Sequence, residues 1–162
     1  GKEYVYYGGN FEGNNHKISN IYNKNTSEDN QGLFGIIENA TIKNVQVVSG
    51  QIKGNQYIGA IAGRAINSNI VNCINQTYVY SQKGYAGVIV GSIENGGKIE
   101  NCINTGKIDI ISGDTNNNGI SGGITGLAYK TEINLCVNKG DIESTAAYVG
   151  GIVGNAIAEI TN

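Results

Sequence analysis

A glycine-bounded apolar segment recurs five times along the chain. It reads Gly32-Leu33-Phe34-Gly35, Gly59-Ala60-Ile61-Ala62-Gly63, Gly87-Val88-Ile89-Val90-Gly91, Gly122-Gly123-Ile124-Thr125-Gly126 and Gly150-Gly151-Ile152-Val153-Gly154. The closing glycines stand at 35, 63, 91, 126 and 154, so three of the four spacings are 28 residues and the fourth is 35. The excess of seven is assigned to the polar segment 111–118, read as a loop inserted into an otherwise strict period. Self-similarity at a fixed period is the mark of a stacked architecture, in which one unit cannot bury its apolar face without its neighbours.

Two further segments complete each period. One is Ile70-Val71-Asn72-Cys73-Ile74-Asn75, repeated as Ile99-Glu100-Asn101-Cys102-Ile103-Asn104 and Ile133-Asn134-Leu135-Cys136-Val137-Asn138, with Ile42-Lys43-Asn44-Val45 as a weaker copy. The other is Tyr78-Val79-Tyr80, then Lys107-Ile108-Asp109-Ile110, then Asp141-Ile142-Glu143. All are short, rich in β-branched residues and bounded by Gly, Asn or Ser, and none has the length or period of an amphipathic helix. The 25 glycines, the absence of proline and about two dozen asparagines suit many regularly spaced bends. The reading is therefore all-β: a parallel β-helix (β-solenoid) of about three short strands per 28-residue coil, five to six coils, right-handed by the default of parallel crossovers. Ile61, Ile89, Ile124 and Ile152 should stack as one internal row, and Ile70, Ile99 and Ile133 as another.

Residues 1–162 are read as one domain, with 1–30 as an N-terminal capping coil and 31–162 as repeats. The closing Ile160-Thr161-Asn162 looks like the opening of another repeat, so the chain is expected to be part of a larger protein. Neither a signal peptide nor a run of eighteen apolar residues is present, so any export signal lies outside these residues and no membrane insertion is expected. A net charge of −2 does not suit a nucleic-acid partner.

The residues that could carry chemistry are few. Cys73, Cys102 and Cys136 hold equivalent positions and are read as a buried ladder of small apolar filler; there is no CxxC or CxxH spacing, and no metal or other cofactor is expected. His16 is the only histidine and Arg64 the only arginine, which leaves no material for a zinc-peptidase motif or a His-dependent triad. His16 is assigned to a turn. Asp109, Asp114, Asp141 and Glu143 are the nearest approach to an acid cluster, with Asp141 and Glu143 both facing solvent from one strand. Tyr57, Tyr85 and Tyr148 each lie six residues before a closing glycine and should form a partial ring ladder, with Ile120 in the remaining copy. Asn72/Asn101 and Asn75/Asn104/Asn138 are read as amide stacks. For ligand binding the candidates are Tyr78 and Tyr80, as a glycan-stacking platform, and Asp114, Asn116 and Asn117 in the inserted loop.

The pentads, and the lead-in Phe11-x-Gly13-x-x-His16-x-Ile18-x-Asn20, resemble the GLUG-motif repeat family over nearly the whole chain. Departures are local: Gln31 precedes Gly32 without a paired glycine, Ala60 and Val88 replace the second glycine, and Leu135 stands where an Asn is usual. The resemblance implies a β-helical array from a bacterial surface or secreted protein, such as an adhesin-like protein or the non-catalytic N-terminal region of an IgA-cleaving metallopeptidase. The functional expectation is a non-catalytic structural or adhesive module, extracellular or at the cell surface, which spaces or presents adjacent domains of the same polypeptide and binds a host glycan or protein. The alternatives are a β-helical carbohydrate-active enzyme of lyase or hydrolase type, or the accessory region of a large secreted peptidase.

Overall fold

The computed structural model describes residues 4–110 and 119–157, and every strand pairing in it is parallel. The chain winds as a β-solenoid of about five turns, as the glycine spacing predicts. Four walls line it where the sequence shows three segments. The long wall stacks Asn10–Glu12, Thr41–Lys43 with Phe34–Glu38, Ala62–Val71, Val90–Glu100, Thr125–Tyr129 with Glu132–Asn134, and Val153–Ile157. A short wall stacks Lys17–Ile18, Gln46–Val47, Ile74–Asn75, Ile103–Asn104 and Val137–Asn138. The third wall stacks Ile21–Asn23, Gly50–Gly54, Tyr78–Ser81, Ile108–Ile110 and Ile142–Ser144. A corner wall of Tyr85–Gly87, Ile120–Gly122 and Tyr148–Gly150 closes the later coils, and single bridges from Gln31 to Ile58 and Ile58 to Ala86 continue it into the earlier ones. In sequence the corner strand and the start of the long strand merge into one glycine pentad, which is why four walls read as three segments.

The pentads mark the sharpest corner. The opening glycines of the last three pentads sit in the corner wall, with Gly87 paired to Gly122 and Gly122 to Gly150. The chain then doubles back so tightly that a Cβ on Gly87 would lie 2.2 Å from Val90 O and 2.3 Å from Thr125 Cα. Side chains are excluded there by backbone, and the pentad's central isoleucine turns inward. Ile61, Ile89 and Ile124 are fully buried and linked by Ile61 N to Ile89 O at 3.0 Å and Ile89 N to Ile124 O at 3.0 Å. The second predicted row holds as well: Ile42, Ile70, Ile99 and Ile133 are in register, the first three fully buried. Ile133 and Ile152, on the last rungs, are only partly buried.

The excess of seven residues divides between two places. Ile70 pairs Ile99, 29 residues on, across a register shift between Glu94 and Gly97; the extra residue bulges at Asn95, Gly96 and Gly97, all with positive φ. The remaining six fall between Ile110 and Ile120, since Ser81 pairs Ile110 at an offset of 29 and Tyr85 pairs Ile120 at 35. Assigning all seven to 111–118 was therefore one too many. A single added residue within a strand is absorbed by a bulge, and the double glycine supplies the backbone freedom.

Asparagine sets the other bends. Asn39, Asn67 and Asn95 form one left-handed column, and Asn44, Asn72 and Asn101 another, with φ between 45° and 61°. Asn tolerates this region because its side chain bonds locally, whereas other L-residues pay roughly 1–2 kcal/mol. The side-chain amides also link rung to rung: Asn72 Nδ2 donates to Asn44 Oδ1 at 3.1 Å and Asn101 Nδ2 to Asn72 Oδ1 at 2.8 Å. The column ends at Leu135, whose φ is 52° and whose side chain is 78% exposed. Leu135→Asn should relieve this strain and extend the amide stack, stabilising the chain by about 1 kcal/mol. A urea midpoint that stays put or falls would count against the left-handed turn there.

The first coil stacks in the ordinary register, with Phe11 on Ile42, Ile18 on Val47 and Tyr22 on Gln51. Among the described residues its strands pair on one side only.

Candidate functional site on the third wall

Alternation on the third wall sends Ile52, Val79, Ile108 and Ile110 inward, each at most 1% exposed, and their neighbours outward. The outward side chains fall in two rows running along the stack. In one, Lys53, Tyr80, Asp109 and Glu143 are in direct register. Lys24 extends this row, because Asn23 before it pairs Ile52 before Lys53. In the other, Tyr22, Gln51 and Tyr78 are in register, followed by Lys107 and Asp141, the residues just before the paired Ile108 and Ile142.

The centre of this face is aromatic. Lys53 Nζ lies 5.2 Å from the Tyr80 ring centroid and 5.8 Å from that of Tyr78, and Lys24 Nζ lies 4.8 Å from that of Tyr22. Such contacts at exposed sites contribute about 0.5–1 kcal/mol each and hold the ammonium groups against the rings. Tyr78 Oη donates to Asp109 Oδ2 at 2.7 Å. Burial, and then the Asp109 carboxylate beside it, raise the Tyr78 phenol above its ordinary value, so it stays a donor. Lys107 Nζ bonds the Glu143 carboxylate and lies 3.3 Å from Asp109 Oδ1. Glu143 first and Asp109 second raise the Lys107 ammonium, and it remains charged. The sequence-predicted Tyr78, Tyr80, Asp109, Asp141 and Glu143 thus share one surface. Asp109 and Glu143 also border a cavity of about 370 Å³ with Ile110, Ser144 and Thr145.

The other candidates fall elsewhere. Asp114, Asn116 and Asn117 lie outside the described residues. Tyr57 and Tyr85 stack with centroids 5.0 Å apart and planes at 18°, and Tyr85, Ile120 and Tyr148 follow in register. Arg64 covers the end of that ladder at 5.5 Å from the Tyr57 centroid while making a two-point bond to Glu94 at 3.0 and 2.8 Å. His16 is exposed, and its backbone N–H closes a turn on Gly13 O at 2.8 Å.

The three cysteines do stack, all with free thiols; Ile103 N bonds Cys73 O and Val137 N bonds Cys102 O, both at 2.9 Å. Cys73 and Cys102 are fully buried, whereas Cys136 is half-buried on the last rung. The Cys102 thiol beside it holds Cys136 down to about 7. Because the thiolate is the reactive form, iodoacetamide on the native protein should label Cys136 selectively and reach Cys73 and Cys102 only after unfolding. Equal labelling of all three, read by peptide mass spectrometry, would contradict the ladder. Among the described residues no group of three His, Cys, Asp or Glu side chains is placed to hold a metal ion.

No family model matches the chain, and neither a curated protein nor a solved structure matches it. Function is therefore argued from the third wall.

Sequence reasoning missed Tyr22, Lys24, Lys53 and Lys107. Their signal is the register itself: once the coils are aligned residue by residue, Lys24 and Lys53 fall in the same column as Tyr80.

Proposed function

We propose that the chain is a non-catalytic repeat module of GLUG type, from a bacterial surface or secreted protein, which spaces adjacent domains and engages a partner through the outer face of its third wall. The observation that carries this reading is the set of tyrosine rings and lysines held in fixed rows on a rigid parallel sheet. Stacked coils suit a spacer because each coil's position is set by its neighbours. Flat, preorganised rings suit a ligand with a planar apolar side, such as the C–H face of a sugar ring. Asp109 and Glu143 sit with Lys107 between them, an arrangement that ties both carboxylates to one cation and orders the face.

The test is binding of the purified chain to a glycan array and to immobilised matrix proteins, compared with Tyr80→Ala. Loss of about tenfold or more in signal, with an unchanged thermal transition, supports the reading. The alternative, a β-helical carbohydrate-active enzyme, would draw on the cavity beside Asp109 and Glu143. Turnover of a polysaccharide that is abolished by Asp109→Asn or Asp141→Asn would replace the proposed module with that enzyme.

A further inference from the structure

The charges on the third wall are ordered along the stack. Lys24 and Lys53 occupy the end nearest the N-terminus, and neither has a carboxylate partner among the described residues. Asp109, Asp141 and Glu143 occupy the other end, with Lys107 as the one cation among them. Tyr78–Ser81 is the middle strand of the five, and it carries Tyr78 and Tyr80.

This order is self-complementary. A two-fold axis lying along the Tyr78–Ser81 strand turns the face onto a second copy and reverses the stack direction. The row Lys24, Lys53, Tyr80, Asp109, Glu143 then meets Glu143, Asp109, Tyr80, Lys53, Lys24. Each lysine faces a carboxylate and the two Tyr80 rings meet on the axis, which is the same-patch geometry a symmetric dimer requires. Sliding the copies by one strand puts Lys53 against Tyr80 and leaves only Lys24 of each copy on a carboxylate, Asp109, so half of the charge pairs are lost and the charges also set the register.

We infer that a second copy of this chain docks face to face on the third wall, antiparallel in stack direction, with Lys24 and Lys53 of each copy on Glu143 and Asp109 of the other. The inference goes beyond the proposed function, since it names a partner that the module carries in itself. Five strands at about 4.8 Å and two rows each about 7 Å wide give roughly 300 Å² per copy, or about 600 Å² in total. That is well below the ~1,200 Å² total of a stable interface. The dimer is accordingly weak, dependent on protein concentration and dissociated by salt, because its specificity is electrostatic.

Sedimentation velocity across a concentration series tests it. The wild-type chain should shift from monomer to dimer as concentration rises and return to monomer in high salt. Lys24→Glu alone sets a second carboxylate against Glu143 of the other copy, and Glu143→Lys alone sets a second ammonium group against Lys24. Each should weaken association by at least about tenfold. An equimolar mixture of the two single variants should recover a dimer, because every pair across that interface is then of opposite sign. Circular dichroism of each variant confirms that the coils are intact. A wild-type chain that stays monomeric throughout overturns the inference, as does a dimer that the single variants leave unchanged or a mixture that fails to recover. A monomer that still binds the glycan or protein array in a Tyr80-dependent way would overturn self-docking and leave the proposed function standing. A dimer with no array binding would do the reverse.

Discussion

Gly91→Ala should destabilise the chain by about 3 kcal/mol or more. A Cβ at Gly91 would lie 2.5 Å from Ile58 N and 2.6 Å from both Gly63 O and Tyr57 C, all of them backbone atoms. Overpacking against flexible side chains costs about 1–3 kcal/mol because rotamers can shift. Here the obstructing atoms belong to backbone hydrogen-bonded to the coils on both sides, with Ile58 N bonded to Tyr85 O at 3.0 Å and Gln31 N to Tyr57 O at 3.1 Å. Relief would require moving a coil. Gly151→Ala is the matched control: it lies in the same motif on an outer rung, with nothing within 4 Å of the added carbon. Urea unfolding should show a large fall in midpoint for the first variant and almost none for the second. Equal behaviour of the two would refute the close approach at the corner.

Asn104→Ala should cost about 4 kcal/mol. Asn104 is fully buried, accepts from Gly106 N at 2.8 Å and from Asn75 Nδ2 at 3.1 Å, and donates to Gly106 O at 2.8 Å and Asn138 Oδ1 at 2.7 Å. Truncation strips the buried Gly106 N–H and C=O of these two bonds, while Asn138 Oδ1 keeps the Gly140 N–H at 3.1 Å, and each unsatisfied buried group costs about 1–3 kcal/mol. The exposed stack gives the comparison. Asn101→Ala loses one solvent-facing amide bond and adds left-handed strain, and should cost only about 1 kcal/mol. If the two substitutions cost the same, the buried amide column is not a satisfied network, and the inner asparagines would be no more than polar filler.

How much could be read from the sequence depended on how strictly each feature repeats. The pentad isoleucines and the Tyr57–Tyr85 stack were legible because each recurs at one offset from a closing glycine, and parallel pairing turns equal offsets into direct neighbours; the cysteine column was legible from its recurring Asn/Leu-Cys-Ile/Val-Asn context, at offsets of 10, 11 and 10. The four-wall section was not, since the corner strand and the long strand run together through a pentad with no polar break. The bulge at Asn95 to Gly97 was hidden in the glycine spacing, where its one residue is summed with the longer insertion; its signal is the offset of 11 from Gly91 to Cys102, against 10 from Gly63 to Cys73. On the third wall, Tyr78 and Tyr80 stood out by residue type. The lysines did not, because a single lysine in a strand looks like any solvent-facing residue until its column is known. Asp114, Asn116 and Asn117 were chosen for the insertion they lie in, and that choice falls outside the described residues.

Parallel, in-register stacking also governs how the module would bear load. The bonds between coils run along the stack, so tension between its first and last coils pulls on them lengthwise and concentrates at the outermost rung. Coils would peel away singly, each releasing roughly 95 Å of chain at about 3.4 Å per residue for a 28-residue repeat. Such a tether lengthens in near-equal increments under force, the 35-residue coil releasing a longer one, while the remaining turns keep their structure.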